Sequence, residues 1–157
     1  ADYRREKLFF RNSNGYYTPL KLAQDRSSGY LKLNRMPLIR LPEMYYILAE
    51  CATDPTEAAD WLNTVRANRG IPADVDLVGD DAFDQLDSRP GCDNTQTKRI
   101  NEIMKEYNKE YYGEGQLFYF YKRLNYKVFT GCPAGGMLPQ YYTPAIPDNE
   151  HIFGNNN

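Results

Sequence analysis

The sequence predicts a mostly α-helical fold of antiparallel helix pairs, with long irregular loops and little or no sheet. Three observations support this prediction. Apolar residues recur at three- and four-residue spacing in four segments, which indicates four helices. The first two segments are joined by a turn so short that their helices must lie antiparallel. Between and around the segments lie stretches rich in proline, glycine and aspartate, which are typical of irregular loops.

The first predicted pair is a helix hairpin over residues 36–70. Its second helix has a complete start signal, because Asp54 can cap, Pro55 suits the first helical position, and Glu57 is the third residue of a capping box. Gly70 marks its end. The residues expected to face the core are Met44, Tyr45, Leu48, Ala49 and Ala52 in the first helix and Ala58, Trp61, Leu62 and Val65 in the second. Cys51 is expected to be a small core residue.

The second half of the chain predicts a helix, a break and another helix over residues 95–125. An acidic irregular segment, expected to be solvated, precedes it at 71–94, and its resemblance to a calcium loop fails at two ligand positions. Glycines at 113 and 115 interrupt the helical spacing. Residues 126–157 are punctuated by prolines and are expected to form an extended tail over the surface. The 157 residues together predict one domain.

Composition excludes some classes of function. The net charge is −2, which provides no basic field for a nucleic-acid backbone. No apolar run approaches the length of a membrane span. Fourteen tyrosines suit tight packing as well as stacking on sugars or partner proteins, and counting does not separate these uses. Cys92 and Cys132 lie in loop sequence and could form a disulfide.

Glu110 and Glu114, one helical turn apart, are the first candidates for a catalytic or metal-binding pair. Paired catalytic carboxylates face each other across a cleft, whereas neighbours on one helix do not. A dinuclear metal site on helices needs histidines, and His151 is the only one in the chain. We therefore expect no catalytic residue, no metal and no cofactor, and a hydrolase is only a third hypothesis.

A second interpretation treats these carboxylates as ion-pair clamps between helices. Charged residues alternate with the apolar stripes on all four predicted helices, and arginine is suited to bidentate bonds with carboxylates. The predicted clamp residues are Glu43, Glu50, Arg66, Arg69, Glu106, Glu110, Glu114 and Arg123.

Four segments, taken in order, resemble the C-terminal region of the SusD/RagB family of outer-membrane nutrient-uptake proteins. They are "MPLIRLPEMYYILAECA", "AADWLNTVRANRG", "INEIMKEYNKEYYGEGQLFYFYKR" and "YYTPAIPDNEHIFGNNN", and "DYRR" at the start is similar to a further family element. The resemblance adds Arg40 to the clamp residues. The chain departs from the family at Leu117 and Phe120, where charged residues are usual. Because both charges are lost together, we expect both side chains to face packed protein.

The resemblance implies a non-enzymatic, tetratricopeptide-like helical protein at the outer-membrane surface of Bacteroidetes. It implies an oligosaccharide ligand, a TonB-dependent transporter partner of the SusC type, and an N-terminal lipid anchor absent from this chain, which would be part of a longer protein. Tyr16 and Tyr17, which flank a turn and fit no apolar periodicity, are the candidate ligand-binding residues, with core packing as their alternative. The alternative function is a helical-repeat module that binds a protein or peptide partner.

Overall fold

The structure is a computed structural model that describes residues 2–4, 7, 9–11, 13–19 and 39–145. Within these residues it is mostly helical, which confirms the predicted fold class. The helices are α1 (Leu41–Cys51), α2 (Pro55–Ala67), α3 (Lys98–Glu110) and α4 (Gln116–Leu124), and the strands are β1 (Phe9–Arg11) and β2 (Tyr17–Pro19). The two strands pair antiparallel as a small hairpin.

The start of α2 follows from local sequence. The Asp54 side chain accepts a hydrogen bond from the Thr56 backbone N–H at 2.8 Å, and Pro55 occupies the first helical turn. Glu57 does not complete a capping box. Its carboxylate instead accepts the indole N–H of Trp61 at 3.3 Å, one turn further along the helix. The cap is therefore simpler than predicted, although the helix begins at the predicted residue.

The buried face of α1 differs from the prediction. Tyr46 and Ala49 are fully buried, whereas Met44, Leu48 and Cys51 are exposed. The helix is apolar on nearly every side, so the spacing of its apolar residues does not identify the inner face. The neighbouring helices decide it, because the Tyr46 ring lies 5.0 Å from that of Tyr107 on α3. The expectations that Met44 and Leu48 face the core and that Cys51 is a core residue are wrong.

Helices α3 and α4 fold back on each other through the glycine break. Gly113 and Gly115 have φ values of 75° and 90°, which disfavour any residue with a side chain. The Phe120 ring of α4 then stacks on Tyr107 of α3 at 4.8 Å between centroids. Phe120 is only 5% exposed, and Leu117 is partly buried against the same core. The prediction that both face packed protein is confirmed.

The acidic segment is bound to the helices rather than freely solvated. Asn63 of α2 pairs with the backbone of Leu77 through two hydrogen bonds of 2.9 Å, and Arg66 donates to the Val75 carbonyl at 2.7 Å. Asp87 and Asp93, towards the end of the segment, are buried. The expectation of a solvated acidic segment is wrong for these two carboxylates, whereas the other aspartates of the segment are exposed: Asp74, Asp76, Asp80, Asp81 and Asp84. Long-range partners that no local pattern reveals hold it in place.

The segment after α4 also contributes to the core. Tyr126 and Tyr142 are buried, and the Tyr142 hydroxyl donates to the Tyr126 carbonyl at 2.6 Å. The expectation of a tail laid over the surface is wrong for these residues, while 146–157, including His151, lie outside the described residues. Cys92 and Cys132 are not bonded to each other. None of the described helices is long and apolar enough to span a bilayer.

Candidate functional site

A surface pocket of about 380 Å³ lies where the N-terminal hairpin meets α3. It is lined by Asp2, Arg4, Phe9, Tyr17 and Lys109. The pocket combines two aromatic side chains with two cations and a carboxylate. Ligand pockets usually have this composition, with apolar walls and a few polar groups that fix orientation.

The hairpin register places both aromatic residues on one face. Tyr17 stands opposite Arg11, and Phe9 is two residues along the same strand as Arg11. Because side chains alternate between faces along a strand, Phe9 and Tyr17 emerge on the same side. The Phe9 ring also lies 5.7 Å from that of Tyr112, just beyond α3. Three aromatic rings therefore surround this end of the helix.

A buried ion-pair cluster lies beneath the pocket. Arg4, almost fully buried, contacts Asp2 and Glu106 at 2.7 Å each. Lys109 also pairs with Glu106, at 2.8 Å. Burial raises the pKa of Asp2, but the hydrogen bonds and charge of Arg4 outweigh that effect and leave the pKa below its ordinary value. The surface that the pocket exposes is therefore mainly apolar, and the charged groups of Asp2, Arg4 and Lys109 lie paired behind it.

The cluster continues along α3 through Glu110, which contacts arginines from three other segments, one of them Arg4 at 3.7 Å. Arg40 contacts Glu110 at 2.6 Å and Glu114 at 2.9 Å, and Arg69 contacts Glu110 at 3.0 Å. Burial raises the pKa of Glu110, but hydrogen bonds and charge from Arg69 and then Arg40 bring it below its ordinary value. A general acid needs the opposite shift. This geometry makes Glu110 an ionised hydrogen-bond acceptor.

The other residues predicted as clamps have different surroundings. Arg66 contacts Glu106 at 3.4 Å, so that α2 and α3 are linked a second time. Arg123 forms two hydrogen bonds, of 2.6 and 2.7 Å, with Glu50 at the surface between α4 and α1. Glu43 has no ion-pair partner among the residues that the structure describes, so its expected ion pair is not formed there. The clamp role of the whole set stays a prediction that stability measurements can test.

Of the two predicted ligand-binding residues, only Tyr17 lines the pocket. Tyr16 is exposed beside it. The same neighbourhood holds Phe9, Tyr112 and Lys109, which sequence reasoning missed. Phe9 could have been found from the sequence, because Asn14-Gly15 between two short strand-like segments is typical of a hairpin turn. The register of that hairpin then places Phe9 and Tyr17 on the same face. No group of three or more metal-ligating side chains occurs in the described part of the chain.

Comparison with known proteins gives one match. A family model described as the SusD family matches residues 6–152, which is most of the chain. Comparisons with curated proteins and with solved structures found no match. The ion pairs join the very motifs that resemble this family: Arg40 before α1, Arg66 and Arg69 of the α2 motif, and the glutamates of α3. The chain belongs to the SusD family.

Proposed function

We propose that this chain is the C-terminal part of a surface protein that captures oligosaccharides for a TonB-dependent transporter of the SusC type. Family membership supports a glycan-binding role in general, and SusD proteins are typically lipoproteins associated with the outer membrane. In this proposal the protein is held at the cell surface by a lipid anchor upstream of the present chain. Binding involves no covalent chemistry, as is general among members of the family.

The pocket at the hairpin is the observation that supports the proposal most directly. Phe9 and Tyr17 present aromatic faces, and Arg4, Asp2 and Lys109 border them with charged groups. The C–H face of a sugar ring stacks on an aromatic ring, while its hydroxyl groups need polar partners at the edge. The pocket offers the aromatic faces, and the charged groups of Asp2, Arg4 and Lys109 lie behind them, paired with one another and with Glu106.

Tyr17→Ala in the full-length protein is expected to weaken glycan binding about five- to tenfold, since one aromatic stacking contact is lost. The measurement is calorimetric titration with glycans that the unmodified protein binds. Tyr16→Ala is the matched control, because Tyr16 is the adjacent tyrosine, is also exposed, and does not line the pocket. Its effect is expected to be smaller. Unchanged affinity in a variant that carries both Tyr16→Ala and Tyr17→Ala would show that the pocket does not bind the glycan.

The second candidate function, a helical module for a protein or peptide partner, is favoured by the outer face of α1. Its exposed apolar residues are Leu41, Met44, Ile47 and Leu48. Leu41 also lines a cavity of about 280 Å³ between α1 and α2, together with Tyr45 and Val65. A groove of this kind suits an apolar helix or peptide.

One experiment separates the two candidates. The full-length protein is applied to an array that carries both glycans and peptides. We expect binding to glycans and none to peptides, since the aromatic pocket suits sugar rings. Peptide binding without glycan binding would replace the transport proposal with the module.

A further inference from the structure

The turn of the N-terminal hairpin carries a reactive pair of residues, Asn14 and Gly15, that the proposed function does not use. The pair lies between Arg11 and Tyr17, which stand opposite each other in the two strands. Asn14 is exposed, and Gly15 is partly exposed. Glycine follows asparagine at no other position in the 157 residues. The pair is therefore accessible to water and unique in this chain.

An asparagine side chain reacts with the main-chain nitrogen of the residue that follows it. The reaction is intramolecular, and the chain itself holds the two reacting atoms close together. A side chain on the following residue obstructs the approach, whereas glycine has none. The attacking amide must also lose its proton, so a hydrogen bond from that amide to the protein slows the reaction. A reactive asparagine therefore needs a following glycine whose N–H is not bound by the protein.

The Gly15 amide meets both conditions. None of the residues that the structure describes accepts a hydrogen bond from it. Gly15 is contacted through its carbonyl instead, to which the Arg11 Nε donates at 3.1 Å. The guanidinium is thus a positive charge beside the reacting residue, and a fixed positive charge stabilises the anion that forms when the amide loses its proton.

Two other exposed asparagines, Asn68 and Asn125, lack this arrangement. Arginine follows the first and tyrosine the second, and each of these residues donates its amide to a main-chain carbonyl of the preceding helix at 2.9 Å. The Asn68 side chain also donates to a helix carbonyl, at 2.8 Å. Exposure is therefore shared by all three asparagines, whereas an unbound following amide without a side chain distinguishes Asn14.

We propose that Asn14 is a site of spontaneous deamidation in the folded protein. The deprotonated Gly15 nitrogen attacks the Asn14 Cγ and forms a bond to it. The bond from Cγ to the side-chain nitrogen breaks, and that nitrogen takes a proton from water and leaves as ammonia. Water then opens the cyclic imide. Opening at Cγ gives aspartate at position 14, and opening at the main-chain carbonyl carbon gives isoaspartate.

Both products change the hairpin beside the pocket. Each adds one negative charge next to Gly15, which the Arg11 guanidinium contacts. Isoaspartate also adds one carbon to the main chain between Arg11 and Tyr17, whose pairing belongs to the hairpin register. Because Tyr17 lines the pocket, the reaction alters the charge and the length of a turn that supports a pocket residue.

The test incubates the full-length protein at mildly alkaline pH in water enriched in heavy oxygen, then digests samples at acidic pH for mass spectrometry. We expect position 14 to deamidate and to incorporate one heavy oxygen, at least about tenfold faster than Asn68 or Asn125. Incubation at mildly acidic pH slows the reaction, because the Gly15 amide is then less often deprotonated. Gly15→Ala slows it about tenfold. Asn14→Gln nearly abolishes it, because the longer side chain closes the ring poorly.

Folded and urea-unfolded samples of the same protein are compared, so that the geometry of the hairpin itself is tested. Modification of Asn14 in urea but not in the folded protein would show that the hairpin protects it and would overturn the proposal. Equal rates at Asn14, Asn68 and Asn125 in the folded protein would overturn it as well, because the Gly15 amide would then confer no advantage. Neither result bears on glycan binding by freshly purified protein, so the proposed function is tested separately.

Discussion

Glu106→Gln is expected to lower the free energy of unfolding by about 3–5 kcal/mol, which is the typical cost of removing one partner from a buried ion pair. Glu106 is almost completely buried and contacts Arg4, Arg66 and Lys109. Glutamine keeps the size of the side chain but removes its charge. Arg4 then keeps Asp2 at 2.7 Å, whereas Arg66 keeps the Val75 carbonyl but loses its carboxylate partner, so each of the two buried cations is left with less compensation. Lys109 is partly exposed and can turn to water.

The measurement is urea unfolding followed by circular dichroism, with the midpoint expected to fall and the slope to stay constant. Glu50→Gln is the matched control, since Glu50 pairs with the exposed Arg123 at the surface. A surface pair contributes about 0–1 kcal/mol, so this variant is expected to remain near the unmodified protein. Equal losses in the two variants would contradict the view that the buried cluster, rather than charge pairing in general, stabilises this fold.

The cluster also shows where sequence reasoning succeeds and where it stops. The start of α2 could be predicted because Asp54, Pro55 and Thr56 are adjacent, and a cap depends on local backbone geometry alone. Arg4 and Glu106 are far apart in the chain, and nothing near either residue indicates its partner. The fold class and the four helices follow from local sequence patterns. The choice of ion-pair partners and the docking of the acidic segment do not, because they depend on residues far apart in the chain.

The same distinction applies to the pocket. Tyr17 was identified because it adjoins a glycine turn and fits no helical stripe, which is a local observation. Lys109 was not, because its place in the α3 pattern is that of an ordinary solvated lysine, and only the hairpin packed against α3 makes it part of a pocket. The inner face of α1 could not be chosen from periodicity, since Met44 and Leu48 are as apolar as the residues that are buried.

Phe120→Ala is expected to destabilise the fold by about 3–5 kcal/mol, the usual cost of truncating a buried phenylalanine. Phe120 stacks on Tyr107, lies 6.1 Å from the ring of Tyr126, and has the Arg123 guanidinium 5.7 Å from its centroid. Its removal leaves a cavity that is bordered by aromatic rings on α3 and beyond α4. Packed aromatic rings cannot easily collapse into such a space. Thermal and urea unfolding measure the loss.

Tyr119→Ala, one position earlier on the same helix, is the control for that variant. Tyr119 is mostly exposed, and a surface substitution of this kind changes stability by about 0.5 kcal/mol or less. Phe120→Asp tests whether this position tolerates a charged side chain. It is expected to be worse than Phe120→Ala, because an unpaired carboxylate is then buried. Adding Leu117→Arg should recover part of the loss if the two positions exchange as a charged pair, and no recovery would show that Phe120 is an independent packing change in this chain.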